Sequence, residues 1–323
     1  MSLFYPIYFI PQYQYRIWGG DNLKIKLNRE HSVDSCGESW EISTIEGFES
    51  HVLNGSFAGD TLNSLIDSHP KEILGSNVLN KFGSTFPLLI KFLDTKKPLS
   101  VQVHPDDLLA KKRHNSFGKN EMWYIMDAKN DSELIVGFDK EIDENDFKKL
   151  NNSGKLEDVL HKEKISSDDV VYIPAGTIHG IGANILLAEI QQASNITYRV
   201  FDYDRVDSIT GLKRDLHTDL AVDVLDFKPR KNIKTSYSKK LNEVNSIIQT
   251  PFFSTNYISL DDSLKRSYDT LESFKVLMCV KGNLKIYFEN KEYNFPFGQT
   301  VYIPAAISVI EIKGTGSFLE VYI

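Results

Sequence analysis

Four side chains able to hold a divalent cation fall on three separate β-like stretches of this sequence. Gln102 and His104 are two residues apart in the alternating run Leu99-Ser-Val-Gln-Val-His104. On a strand both therefore point to one face, while Val101 and Val103 point to the other, toward a core. Pro105 holds His104 in the extended region. Glu121 opens the next apolar run, which reaches Met126, and His179 ends the turn Pro174-Ala-Gly-Thr-Ile-His179. Imidazole nitrogens with a carboxylate suit Zn²⁺ or a similar ion, and a catalytic site leaves one position open for substrate. Plainer roles exist for each: a hydrogen-bonded strand histidine, a solvated strand-end acid, a turn histidine capping a carbonyl.

A third group lies between Ile185 and Arg205. Glu189 and Gln191 share one face of an alternating strand, and Asn195, Thr197 and Arg199 share one face of the next. An arginine among Val200 and Phe201 is costly to bury unless it meets an anion, either a ligand or a structural partner such as Asp202 or Asp204. Lys91 is similar, a lysine inside Leu88-Leu-Ile-Lys-Phe-Leu93, where it must snorkel, pair or face a charged ligand. Phosphate-binding loops of the Gly-x-x-x-x-Gly-Lys-Ser/Thr kind are missing. Gly180-Ile-Gly182 lacks both the third glycine and the strand–helix context of a dinucleotide site, and no Gly-x-Ser-x-Gly elbow occurs.

The elements that must position these groups are mostly strands. Residues 87–93, 99–104, 121–126 and 168–206 read as strands and turns, and 247–323 is again β-like. Helical patterns cover 59–82, started by Asp60 or Thr61, a short segment from Asp106 to Arg113 with acids first and bases last, and the polar stretch 140–162. One internal repeat stands out. Val-Tyr-Ile-Pro-Ala occurs at 171–175 and again at 301–305, followed in the first copy by Gly-Thr-Ile-His179 and in the second by Ala-Ile-Ser308, with no histidine. This predicts a mainly β protein with a small helical portion, built as a double cupin of two jelly-roll-like β-barrels. The first barrel would keep the polar chemistry. The Lys-rich stretch 226–243 reads as a connector. The expected division is 1–225 for a catalytic cupin-like domain, 226–245 for a linker and 246–323 for a cupin-like domain without metal ligands.

The 323 residues are long enough for about two domains. Eleven per cent are aromatic, which suits strands. A net charge of −7 offers no basic field for a nucleic acid, and no apolar run approaches the ~20 residues of a membrane span. The N-terminus lacks the basic start of a signal peptide. Two distant cysteines, Cys36 and Cys279, form no disulfide framework and read as buried thiols of a cytoplasmic protein.

Several motifs, in order, resemble the type I mannose-6-phosphate isomerases, and their short bacterial form in particular. They are Gly37-Glu-Ser-Trp40, Lys97-Pro-Leu-Ser-Val-Gln-Val-His-Pro-Asp-Asp107, Lys119-Asn-Glu-Met-Trp-Tyr124, Tyr172-Ile-Pro-Ala-Gly-Thr-Ile-His-Gly-Ile-Gly182 and Ala188 through Asp202. The resemblance implies a zinc-dependent cupin enzyme with one Zn²⁺ per chain that interconverts mannose 6-phosphate and fructose 6-phosphate through a cis-enediol. It implies His104, Glu121 and His179 as metal ligands with Gln102 as the fourth. Arg199 matches the family's active-site arginine, and Lys91, Lys119 and Glu189 match positions lining the pocket. Arg199, Glu189 and Lys119 are thus the expected catalytic group, and Lys91, Lys119 and Arg199 the expected contacts to a hexose 6-phosphate. Glu189 is the first expectation for the base and a lysine of depressed pKa the second. One departure is Gly118, where longer members carry a histidine, so no role of that histidine transfers. The alternatives are a metal-binding sugar-phosphate cupin without turnover, or another metal-dependent cupin enzyme such as a dioxygenase.

Overall fold

The computed structural model describes residues 2–323. From the N-terminus come β1 (Gln12–Gly20), α1 (Asn22–Ile25) and β2 (Cys36–Ile42), then three short helices, α2 (Leu62–Ser68), α3 (Pro70–Leu74) and α4 (Ser76–Phe82). Next are β3 (Leu88–Thr95), β4 (Val101–Val103), α5 (Asp107–His114), β5 (Glu121–Ala128) and β6 (Glu133–Phe138). There follow α6 (Glu144–Asn152), β7 (Leu160–Lys164), β8 (Val170–Ile173), β9 (His179–Ile181), β10 (Ile185–Gln192), β11 (Tyr198–Phe201) and α7 (Thr218–Val222). The rest is strand: β12 (Val244–Gln249), β13 (Ser254–Leu260), β14 (Ser263–Ser267), β15 (Lys275–Phe288), β16 (Lys291–Pro296), β17 (Thr300–Ile303) and β18 (Val309–Tyr322).

These elements form two compact units, both discontinuous in the chain. One comprises 1–12, 40–90 and 236–323; the other comprises 13–39 and 91–235. The sequence reading divides the chain in order instead, with a linker at 226–245. Contacts of the Lys-rich stretch explain the difference: within the second unit Pro229 bridges to Phe138 and Lys234 to Val171.

The second unit holds every candidate site residue. A six-stranded sheet runs β1-β2-β3-β10-β5-β8, and a five-stranded sheet runs β11-β4-β9-β6-β7. One core binds them face to face: Trp18, Leu93, Trp123, Ile125 and Ile185 from the first with Leu134, Val136 and Ile181 from the second. A second core covers the outer face of the five-stranded sheet. There Val101, Val103, Tyr198 and Val200 meet Phe147 of α6, the turn Leu156–Val159, and Ala221 and Val222 of α7. Val101 and Val103 therefore face the helices, and Gln102 between them faces the opposite sheet, as the alternation requires. Each fully buried side chain of this size contributes about 1.5–3 kcal/mol, so both faces of β4 are firmly specified. The sheets remain open rather than closed barrels; the cupin-type sandwich stands.

In the other unit, β12, β13, β18, β15 and β16 form the path of a seven-stranded sheet, with β14 paired to β18 and β17 to β15. The repeat is structural. β8, its Pro174 turn and β9 in one unit correspond to β17, its Pro304 turn and β18 in the other. At the place of His179 the second copy has Val309. Some helical readings were too long. Residues 59–82 form three helices, because Pro70 starts a new one at its first position and Gly75, at φ +88°, breaks the next. Thr61 caps α2, its Oγ1 accepting from the Ser64 N–H at 3.1 Å. The 140–162 pattern is helical over Glu144–Asn152, turns at Leu156–Val159 and then enters β7. No helix among the described residues is long and apolar enough to cross a membrane.

Candidate active site

Register assembles the site. Gln102 of β4 lies opposite His179 of β9 on one side and Arg199 of β11 on the other. On the facing sheet Glu121 lies opposite Gln191, and Trp123 opposite Glu189, across β5 and β10. His104 and Lys119 sit just beyond strand ends. The turn before His179 is drawn to His104 by the Gly176 N–H, which donates to the His104 carbonyl at 2.9 Å. Gly176 has φ +85°, and a Cβ there would stand 2.8 Å from the Val224 carbonyl.

His104, Glu121 and His179 are buried, and one ligand-type atom from each lies within 4.8 Å of the others. His104 Nδ1 donates to the Ile196 carbonyl and His179 Nδ1 to the Thr177 carbonyl, both at 2.8 Å. Each Nε2 therefore presents a lone pair to the centre, the arrangement seen when imidazoles bind a metal. His179 Nε2 is 3.3 Å and His104 Nε2 3.6 Å from the carboxylate of Glu121. Burial, aided by the charge of Lys119, drives His179 down to about 3 and His104 well below its usual range, so both rings are neutral. Burial also lifts Glu121 to about 7 against the pull of Lys119. Apart from the Lys119 ammonium, neither Glu121 oxygen has a hydrogen-bond donor against it. A cation already answers this cluster: Lys119 Nζ lies 2.8 Å from Glu121 Oε2 and 2.9 Å from His104 Nε2. The carboxamide of Gln102 is 3.4 Å from both imidazole nitrogens, and turned over it would present Oε1 there. Two neutral imidazoles, a buried carboxylate held only by the Lys119 ammonium and an adjacent amide fit a divalent metal.

The cluster backs onto a cavity of about 430 Å³, within the usual span of small-molecule sites of about 300–1,000 Å³. Gln102 and Lys119 form its floor beside the metal-type residues, and Arg16, Lys91, Arg199 and Arg214 add positive charge to its walls. Lys91 Nζ is 3.1 Å from Glu189 Oε2 and 3.7 Å from Glu38 Oε2. Glu189 Oε1 also accepts from the Trp123 indole at 2.9 Å. Burial alone would raise the Glu189 carboxyl, but Lys91 and Lys119 outweigh it and hold the group below its ordinary value. Lys119 is held above its usual range because Glu121 and Glu189 outweigh burial.

Arg199 differs from these paired groups. Asp202, one of its possible partners from sequence, is held by Arg205 and Arg214 instead. The other, Asp204, pairs with Lys213 at 2.7 Å. No carboxylate among the described residues pairs with Arg199. Burial, then the neighbouring Arg214, lowers its pKa to about 10, and it stays a cation at neutral pH. Gln191 shares the strand with Glu189 but pins the turn beyond β10, donating to the Gln192 and Ser194 carbonyls. Asn195 and Thr197 line the cavity.

Sequence reasoning assigned no role to Arg16, Glu38 or Arg214. Arg16 grips Glu38 with two hydrogen bonds, at 2.8 and 3.0 Å. Gly37 makes the grip possible, because a Cβ there would lie 2.5 Å from Arg16 Cβ and 2.6 Å from the Trp18 ring. The motif Gly37-Glu-Ser-Trp40 was the available signal for Glu38. Arg214 sits on a loop without periodicity and left none.

Comparisons with known proteins agree with this geometry. Residues 7–150 match the family model for the phosphomannose isomerase type I catalytic domain, and residues 243–323 match that for the mannose-6-phosphate isomerase cupin domain. The chain is 32% identical over 310 residues to a mannose-6-phosphate isomerase of Streptococcus mutans, covering 96% of this chain and 95% of that protein. It is 31% identical over 314 residues to mannose-6-phosphate isomerase ManA of Bacillus subtilis, covering 96% of each. A crystal structure of the mannose 6-phosphate isomerase from Bacillus subtilis superimposes with a TM-score of 0.90 at 32% identity, over 98% of this chain and 99% of that one. His179, Glu189 and Arg199 fall between the two matched segments, in a stretch the near-full-length relatives span. Motif order, the clustered metal-type residues and these matches converge on one conclusion: the chain belongs to the type I mannose-6-phosphate isomerase family.

Proposed function

We propose that this protein interconverts mannose 6-phosphate and fructose 6-phosphate, using one Zn²⁺ held by His104, Glu121 and His179 with Gln102. The observation behind this reading is the metal-type cluster lying against Gln102 and Lys119, which line a cation-walled cavity, in a chain of this family. Neither a non-catalytic sugar-phosphate binder nor a dioxygenase is favoured by any feature of the cavity. The metal, when bound, supplies Lewis acidity toward the C1 and C2 oxygens of the sugar.

The chain's own residues perform the rest. Moving a hydrogen between C2 and C1 through a cis-enediol needs a base near those carbons and positive charge near the oxygens. Glu189 is ionised, faces the cavity and is not one of the metal-type residues, so it takes the proton from carbon. Lys91 and Trp123 hold its carboxylate in place and tune its basicity. Lys119 from the floor and Lys91 from the wall orient sugar oxygens. Arg199, the cation without a carboxylate, stabilises the oxyanion that develops as the carbon proton leaves. The walls supply the charge that binds a hexose phosphate in a protein of net charge −7. A cytoplasmic location is supported by the two buried free thiols, Cys36 and Cys279.

The test is direct. Bound metal is quantified by elemental analysis, and fructose 6-phosphate formation from mannose 6-phosphate is followed with and without a chelator. Turnover that disappears with the metal and returns with Zn²⁺ is expected. A metal-loaded protein that isomerises no hexose phosphate would refute the reading.

A further inference from the structure

Arg199 is fastened by a part of the chain that the reaction chemistry leaves unexplained. Its backbone N–H donates to Nδ1 of His217 at 3.2 Å, and the His217 N–H donates back to the Arg199 carbonyl at 2.7 Å. Its guanidinium Nη1 donates to the Asp215 carbonyl at 2.9 Å. β11 is the end strand of its sheet, with β4 on one side only. On the open side, residue 217 supplies both partners that a neighbouring strand would have supplied, one of them a ring nitrogen. The strap is anchored behind. The His217 carbonyl accepts from the Ala221 N–H at 2.9 Å, and Ala221 and Val222 are buried in one core with Tyr198 and Val200.

We propose that His217 is the positioning residue of Arg199, that it acts only with Nδ1 unprotonated, and that its protonation unfastens the arginine and stops turnover at acid pH. The link to turnover rests on the isomerase reading above. A proton on Nδ1 would set two donors face to face and remove the only acceptor of the Arg199 N–H on that edge. The groups facing the ring are Arg199 and Tyr198 from β11 and Asp215 from the strap itself. Behind Tyr198 stands His114 of α5, whose Nε2 is 2.7 Å from the Tyr198 hydroxyl. Burial and then Arg199 lower the His217 pKa, with Asp215 opposing, so the ring is neutral at pH 7. The sign follows: the fastened form is complete above the unperturbed value of about 6.5 and is lost as pH falls through the lower folded-state value.

The experiment uses the metal-loaded enzyme. The variants are His217→Ala and His217→Asn, the second placing a non-titrating acceptor oxygen near the position of Nδ1. We expect His217→Ala to cut kcat about tenfold with KM changed less than about twofold, metal content unaltered. His217→Asn should recover most of kcat and remove the acid limb of the kcat–pH profile. Nitrogen NMR of histidine-labelled protein should show His217 Nδ1 unprotonated at pH 7, titrating together with the Arg199 amide. The proposal is overturned if the Asn variant keeps the wild-type acid limb, if the Ala variant keeps wild-type kcat, or if Nδ1 carries the proton at pH 7. A wild-type protein with no isomerase activity would remove the link to turnover, and the NMR titration would show separately whether the strap exists.

Discussion

At the scale of residues, the site is a set of charges that compensate one another except at Arg199. Each buried carboxylate has a lysine or arginine against it: Glu38 has Arg16, Glu189 has Lys91, and Glu121 has Lys119. Removing one partner strands the other, which is why single changes here should be severe. His179→Ala should lose metal and activity together, read by elemental analysis and turnover, because a three-residue cluster loses one of its two imidazoles. Arg199→Ala should lower kcat by about 10²–10³-fold, a loss typical of an oxyanion-stabilising donor, with metal content near normal. Wild-type turnover in that variant would remove Arg199 from the chemistry. Glu189→Gln should abolish exchange of the sugar's C2 hydrogen with deuterated solvent while leaving the metal in place.

At the scale of elements, what positions these groups is strand register on one face and helix packing on the other. Phe147 of α6 is buried against the β4 and β11 side of the sheet, so Phe147→Ala should cost about 3–5 kcal/mol in denaturant unfolding, with activity per folded molecule retained. Replacing Gly176 by Ala should lower metal affinity, since φ +85° and the Val224 carbonyl oppose a side chain and the turn carries His179. Asp202 ties the loop after β11 through Arg214 and Arg205. Burial raises its carboxyl, but those hydrogen bonds outweigh burial and lower it. The stability Asp202 contributes is therefore present above its unfolded value of about 3.9 and lost as pH falls through the folded one. Acid unfolding of Asp202→Asn should start from a lower stability and lose less between pH 5 and the transition, measured by circular dichroism.

At the scale of the whole molecule, one duplicated β motif has kept its metal-type residues in one unit only. Among the described residues a single such cluster exists, and the second copy of the Val-Tyr-Ile-Pro-Ala turn ends at Val309 where the first ends at His179. A metal that binds only the folded unit must stabilise it by mass action, about 2.7 kcal/mol at a free concentration of a hundred times Kd. Chelation should therefore lower the melting temperature of the wild type and leave that of His179→Ala unchanged. An equal chelator effect on both proteins would place the metal elsewhere.

Strand alternation and a repeated string were enough to announce the β architecture, because side-chain direction on a strand has a period of two and is local. The same local rule put Gln102 on one face and Val101 and Val103 on the other. Motifs with chemistry of their own, from Gln102 to Arg199, could likewise be read directly in the chain. Helix lengths between 59 and 82 were harder, since Pro70 and Gly75 break a pattern whose apolar spacing runs through them. Only the tertiary structure decided which charges meet. That Asp202 holds Arg205 and Arg214, leaving Arg199 to the cavity, depends on a loop with no periodicity folding back on an edge strand. The grip of Arg16 on Glu38 depends on the close approach that Gly37 permits, and the fastening of Arg199 by His217 on an open sheet edge eighteen residues away. Pairings of this kind arise from long-range packing, which spacing along the chain does not encode.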